Sequence, residues 1–509
     1  MSNASYRSTI SELGGGRVAI LLLLFALALY QLYSSGFGAF ATICLIPAIV
    51  LGIILSFRHG MLIFWALVIV NYFISMKTIP WPENIPKSIY NEGLEIMLLV
   101  LVIIDVKGTK FNTLLNTMFF SVIVWCSFII IELINDTCDM AWDFATWFTG
   151  ARIMAFQIFY ACIVFTLYLN TSQKVVKYLL LWGGLALFSV FWIWKQKAFG
   201  FTQAENEFIL GPGRKTHILQ AGTLIRYLSI YTDAAAAGIG MASTAVAFII
   251  FGLTAKIRKY KFLFLAIGAA CVWGFFVTGT RTAVACFMAG FVVYTILSKS
   301  IKMATFIGVA GILFFCMLAF TKIGDGNQMI RRMRTAFDKN DQSQGARMAN
   351  REVMKKYMAD APFGIGIGMK PGSMPSNHKY YVMNTIPPDS EYIYIWIHTG
   401  IVGLTIFLIT TALMFLGASR IIMFKLTSSS LRGIGAGLAC CFVSMQLGGY
   451  NNQVLMQFPN CVVCYGGLSI VYVLPYIEKG WLEYEANYLA LRAEKKRLKE
   501  EKKKKTIRA

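Results

Sequence analysis

The run "PPDSEYIYIWIHTGIVGLTIFLITTALMFLGA" occupies residues 387–418. Two prolines and the carboxylates Asp389 and Glu391 lead straight into an apolar stretch with no further Asp, Glu, Lys or Arg. At 1.5 Å per residue, about 20 helical residues cross a ~30 Å hydrocarbon core. The stretch is long enough for a membrane helix, and a carboxylate at its entrance needs water or a partner. Runs of this kind recur at about 18–34, 37–56, 60–76, 90–106, 112–135, 151–169, 175–194, 234–254, 261–279, 282–298, 303–321, 391–418, 430–448 and 460–477. Composition agrees: 57% of residues are hydrophobic and 14% charged, with mean hydropathy +0.61. Soluble chains carry roughly 25% charged residues. The apolar runs are continuous and lack period two, which argues against a β-barrel. The chain reads as an all-α polytopic integral membrane protein with about 12–14 transmembrane helices.

The net charge of +22 does not indicate nucleic acid. The excess sits in short loops and in a tail ending "EKKRLKEEKKKKTIRA", the bias expected of cytoplasmic loops. With a cytoplasmic N-terminus, Arg58, Lys107 with Lys110, Lys174 with Lys177, Lys256 to Lys261, Lys299 with Lys302, and Arg420 with Lys425 all fall inside. The expected organisation is one transmembrane domain, 1–477, followed by a basic cytoplasmic tail, 478–509, near anionic lipid headgroups. The first run reads as a signal anchor. "CVVC" at 461–464 opens an apolar span with no second CxxC or nearby His, so no metal site is expected.

The long connections, 77–89, 136–150, 195–233 and 322–390, then lie outside. The last precedes the twelfth span. It contains "MIRRMRTAF" and "ANREVMKKYMADAP", which read as amphipathic helical pieces at the interface. Arg226 and Arg281 are cations on this wrong side. Each suits an interface anchor, because a long side chain can snorkel. Together at one mouth they suit a diphosphate, whose oxygens match the guanidinium fork. Gly364, Gly366 and Gly368 form GxGxG after Pro362. Without a preceding strand and following helix this is no dinucleotide fingerprint. It reads as a tight backbone turn, with amides facing a ligand as a further option.

Four features, in order, resemble the bacterial O-antigen ligases and the O-antigen and exopolysaccharide polymerases. They are Arg226 before an Ala/Gly-rich span; "TGTRTA" with Arg281; Arg351 followed by P-x-G-x-G-x-G ending at Gly368; and Asp389-Ser390 with Tyr392, Gly400, Gly403 and Leu404. The resemblance covers about 220–420. It implies a fold similar to the C-type glycosyltransferases and a glycosyl transfer at the outer face of the bacterial inner membrane. The donor is an undecaprenyl-diphosphate-linked oligosaccharide and the acceptor a glycan or lipid A core. Arg351 would join Arg226 and Arg281 on the diphosphate, with Gly364, Gly366, Gly368, Ser390, Tyr392 and Gly400 in support. Membrane lipids and other polysaccharide-assembly proteins are the further partners; no cofactor is implied. Ligases of the family typically carry His where this chain has Asp389, a departure that favours a polymerase. A transporter or flippase for such a lipid is the alternative.

A carboxylate at a wetted mouth is ionised near neutrality, since a free Asp titrates near ~3.9. Asp389 is the first candidate for the base that takes the acceptor's proton, Glu391 the second and His378 the third. His398 would sit roughly 10 Å deeper than Glu391 on the same helix face and suits packing.

Overall fold

A computed structural model describes residues 60–508 apart from 80, 82–86, 106–107, 109, 139–142, 212–218, 221–223, 325, 327, 335–341, 370–373 and 387, together with Leu23, Ala26 and Tyr30. The chain divides into the units Met1–Trp65 and Ala66–Ala509. The first two expected spans lie outside the described residues.

Each remaining expected span is a helix. In chain order these are α1 (Gly60–Phe73), α2 (Ser88–Ile104), α3 (Thr117–Ile131), α4 (Phe144–Ala151) running through a π turn into α5 (Gln157–Tyr168), α6 (Ser172–Phe199), and then a short α7 (Gln203–Leu210). A two-residue ladder, Leu219–Gln220 against Leu224–Ile225, precedes α8 (Ala234–Thr254), α9 (Arg258–Val277), α10 (Arg281–Ser298) and α11 (Ile301–Phe320). The long connection forms α12 (Gln328–Arg334), α13 (Gln342–Met358) and α14 (Tyr381–Thr385). The last long helices are α15 (Glu391–Arg420), α16 (Ser429–Gly449) and α17 (Gly467–Arg508). Among the described residues eight helical segments are long and apolar enough to cross a membrane, including 234–254, 258–277, 281–298, 391–425 and 429–449. The molecule is an all-α polytopic membrane protein.

The core of the second unit is α8. Its sequence "AAAAGIGMASTAVAFIIFGLT" offers almost no large side chain in its first half, so α9, α10 and α16 approach closely around it. Asp233 caps its start, accepting hydrogen bonds from Ala235 N (2.6 Å) and Ala236 N (2.8 Å).

Several basic loops expected on one side do meet at one end of this unit. Lys299 Nζ donates to Met423 O (3.0 Å), and Lys256 lies 3.3 Å from Glu485 on α17. α17 runs as one helix through residue 477 into the basic C-terminal stretch.

The two helical pieces expected in the long connection form as α12 and α13, and α13 buries one face. Met354 and Met358 of α13 are buried with Ala361, Ile365, Tyr380 and Ile397 in a small core of their own. This core is seated on a break in α15. Gly400 has φ +65° and ψ −170°, so the helix is interrupted there. The groups freed by the break are taken by the neighbouring loop: Ile365 N donates to Ile397 O (2.8 Å) and Val402 N donates to Pro362 O (3.2 Å). The backbones touch so closely that a Cβ on Gly400 would meet Pro362 O at 1.9 Å, and one on Gly364 would meet the carbonyl carbon of His398 at 2.4 Å. The portion from 401 to 420 alone is about 30 Å long, a full membrane thickness.

Gly366, also at positive φ (+96°), has only Met369 Cε near a Cβ, at 3.9 Å. Both substitutions to Ala incur backbone strain of about 1–3 kcal/mol, but only Gly400→Ala adds a backbone clash. Thermal unfolding in detergent should therefore show Gly400→Ala melting clearly below Gly366→Ala, and Gly366→Ala modestly below the parent.

Candidate functional site

At the end of the unit opposite the basic loops, α9 and α10 are joined by residues 278–280. Gly279 at φ +63° allows so abrupt a reversal. Thr278 and Thr280 are buried, and Thr280 Oγ1 donates to Ala234 O at the start of α8 (2.8 Å). Three arginines from distant parts of the chain converge on this turn. Arg226, 9% exposed, donates from Nη2 to Thr280 Oγ1 (2.9 Å) and from Nε toward Thr278 O (3.5 Å). Arg332 of α12 donates from Nε to Gly279 O (2.6 Å). Arg281 is the first residue of α10.

Burial pushes the Arg226 guanidinium down to about 10; Arg332, Arg281 and Arg347 add to the shift and Asp233 opposes it. Arg226 thus remains charged at neutral pH while sharing a confined space with other cations. Such a place favours an anion.

α13 faces the same mouth. Arg347 and Arg351 lie four residues apart, on one helix face. Arg347 Nε is 3.7 Å from Asp389 Oδ2, with side chains 29% and 40% exposed. Arg351 stacks over the Tyr450 ring (5.2 Å to its centroid), donates from Nη1 to Tyr450 Oη (3.4 Å), and keeps its Nε buried without a hydrogen-bond partner. Asn452 Nδ2 donates to Thr282 Oγ1 (3.4 Å), tying the turn that carries Tyr450 to the start of α10.

The three candidate bases occupy unlike surroundings. Asp389 is half-exposed beside Arg347. Glu391 is 2% exposed and accepts a hydrogen bond from Leu455 N (2.8 Å), so it fastens the segment after α16. His378 accepts from Tyr380 N at Nδ1 (3.1 Å), which leaves the proton on Nε2, donating to Cys138 O (2.9 Å). With both ring nitrogens committed, His378 offers no free lone pair. His398, 6% exposed, has Tyr394 O at 2.8 Å from Nδ1 and Met369 O at 3.3 Å from Nε2, a packing position as its depth implied.

Ser390 Oγ donates to Gly449 O (3.0 Å) and Tyr392 Oη to Gln446 O (2.9 Å), so both pin the start of α15 to α16. Gly364 and Gly400 form the helix joint, and Gly368 (φ +85°) packs against Thr146 O, where a Cβ would come within 2.0 Å. The glycine run is therefore a close-packing device, and the Ile365 amide within it is spent on α15 rather than held for a ligand.

Arg332 and Arg347 are the residues that sequence reasoning passed over. The four-residue spacing of Arg347 and Arg351 was available as a signal. Nothing in the sequence distinguishes Arg332 from Arg331 and Arg334; only the fold puts its Nε on Gly279.

The protein is thus a polytopic helical membrane protein that gathers arginines and a carboxylate at one end of its bundle. Residues 266–408 match the family model described as O-antigen ligase. This supports the O-antigen ligase and polymerase superfamily for the chain and a membrane glycan transferase in general. The match runs from α9 into α15; it includes Arg281, Arg332, Arg347, Arg351 and Asp389, whereas Arg226 precedes it. No curated protein matches the chain.

The depressed proton affinity of Arg226 gives a pH test. Arg226→Lys puts an ammonium, whose ordinary value of ~10.4 already lies below that of a guanidinium, into the same buried, cation-rich surroundings, which lower it further. A lowered basic group is charged below its value and neutral above it. Binding of inorganic pyrophosphate, followed by calorimetry, should weaken with rising pH at a lower pH in Arg226→Lys than in the parent.

Proposed function

We propose that this protein moves an oligosaccharide from undecaprenyl diphosphate onto a sugar hydroxyl at the outer face of the bacterial inner membrane, and that it extends glycans rather than loading lipid A core. The observation that carries this reading is the convergence of Arg226, Arg281 and Arg332 on one turn, with Asp389 at the same mouth. In this arrangement the chain ends are cytoplasmic and the 322–390 connection is external.

The chemistry follows from the charges. The acceptor oxygen forms a bond to C1 of the donor sugar as the bond from C1 to the diphosphate oxygen breaks. The electron pair leaves with the diphosphate, where the arginines offset the growing charge; one well-placed donor contributes about 3 kcal/mol. The acceptor's proton passes to Asp389, a contribution of about 10²–10⁴-fold from a positioned base. Asp389 takes this role over Glu391 and His378 because its carboxylate is partly solvent-facing, whereas the Glu391 carboxylate and the His378 imidazole are hydrogen-bonded into the fold. Asp389, where ligases of the family typically keep His, is the ground for favouring polymerisation.

A transporter for the same lipid draws support from the helix break at Gly400, since broken helices line many transport sites. The freed groups on both sides of this break are capped by residues 362–365, which makes it a joint rather than an ion or substrate site.

Reconstitution with lipid-linked oligosaccharide, with and without lipid A core, tests the reading. Longer glycan without lipid A supports polymerisation; product only on lipid A replaces it with ligation; movement of intact lipid across the bilayer replaces both. Asp389→Asn and Arg281→Ala should each lower turnover at least 100-fold in correctly inserted protein. Glu391→Gln, which still accepts from Leu455 N, should retain most of it while Glu391→Ala unfolds more readily.

A further inference from the structure

We infer that Arg347 and Arg351, with Tyr450, form a second anion subsite that receives a negatively charged group of the acceptor glycan. The inference rests on the transferase reading above and deepens it by naming an acceptor class. It also separates Arg351 from the diphosphate arginines with which its sequence pattern grouped it.

The arginines of the mouth fall into two sets by what holds them. Arg226 and Arg332 are anchored on the oxygens of residues 278–280, and Arg281 follows that turn directly. Arg347 and Arg351 belong instead to α13, one turn apart, and touch Asp389 and Tyr450. Asp389 thus touches the α13 set through Arg347, which is itself close enough to Arg226 to lower its proton affinity. In a transfer that uses Asp389 as base, the leaving diphosphate and the attacking hydroxyl stand on opposite sides of C1. If the 278–281 set holds the diphosphate, the α13 set lies along the acceptor.

Charge and shape bear this out. One diphosphate is matched by the three arginines at the turn, so two more guanidinium groups exceed its need. The buried Nε of Arg351 still lacks a partner, and its other face is stacked on Tyr450. A stacked, pre-oriented guanidinium is a fork for a carboxylate or phosphate. Tyr450 is 52% exposed as a residue, which leaves an aromatic side chain accessible to a sugar beside Arg351. Arg347 would exchange its 3.7 Å contact with Asp389 for the incoming anion, leaving the carboxylate free for the hydroxyl proton. A uronate and a phosphorylated sugar present the same chemistry to this pair.

The test uses full-length protein in detergent and needs no turnover. A disaccharide ending in glucuronic acid, its 6-phosphorylated glucose counterpart and its neutral glucose counterpart are titrated separately. At least one anionic sugar should bind ten-fold or more tightly than the neutral one. Arg351→Ala and Arg347→Ala should each abolish that preference, Arg351→Lys should keep part of it, and Arg281→Ala should leave it intact. Equal binding of all three sugars by the parent protein overturns the inference. So does a preference lost as fully in Arg281→Ala as in Arg351→Ala. The transfer assay is read separately: acceptor KM should rise about ten-fold in Arg351→Ala with donor KM unchanged within two-fold. Anion-selective sugar binding without any transfer would sink the transferase reading and leave the subsite standing.

Discussion

The contact between two glycine backbones, Gly364 and Gly400, holds the functional end of the molecule together. A 30-residue helix would normally carry its hydrogen bonds unbroken from Glu391 to Arg420. Here it yields two of them to the loop that follows α13. In exchange the long connection acquires a fixed seat, with Ile365 and Ile397 in one buried cluster. The orientation of α13, and so of Arg347 and Arg351 relative to Asp389, depends on that seat. An unbroken helix would leave Pro362 O and Ile365 N to find water, and the connection would lose its registration.

The second constraint is electrostatic. Several guanidinium groups gathered at one mouth repel one another; burial is the main cause of the lowered proton affinity of Arg226, and the neighbouring arginines add to it. The fold tolerates this by giving carbonyl and hydroxyl oxygens to Arg226 and Arg332, a carboxylate to Arg347 and an aromatic face to Arg351. Each cation is held in place, yet the set keeps an excess of positive charge at neutral pH. A site of that kind is most stable when filled, which couples ligand binding to the stability of the end of the bundle.

Much of the architecture is legible in the hydropathy pattern, because a bilayer requires every backbone group to be satisfied within the segment itself. Twelve of the fourteen expected spans fall on described helices, and the basic residues Lys256 and Lys299 meet the neighbours their parity requires. The break at Gly400 was not legible, because an isolated glycine in an apolar run looks the same whether it is helical or not. At the site, Arg226 and Arg281 stood out because charge is rare near a span, and the structure brings both to the same turn. Glu391 and His378 were indistinguishable from Asp389 by residue type. Their difference lies in partners 64 and 240 positions away, Leu455 and Cys138, which no local pattern encodes. The three glycines announced tight backbone but not what it would touch.

The last helix has one further consequence. From 478 to 508 it is unbroken, so this stretch is about 46 Å long at 1.5 Å per residue. Salt screens charges beyond about 8 Å under physiological conditions. Upright on a charged membrane, a rod of that length would carry its far end well beyond this range; lying along the surface, it would keep the whole stretch within it. Beside a charged membrane, a helical tail would answer to its tilt as well as to its composition, whereas a flexible tail of the same sequence would answer to composition alone.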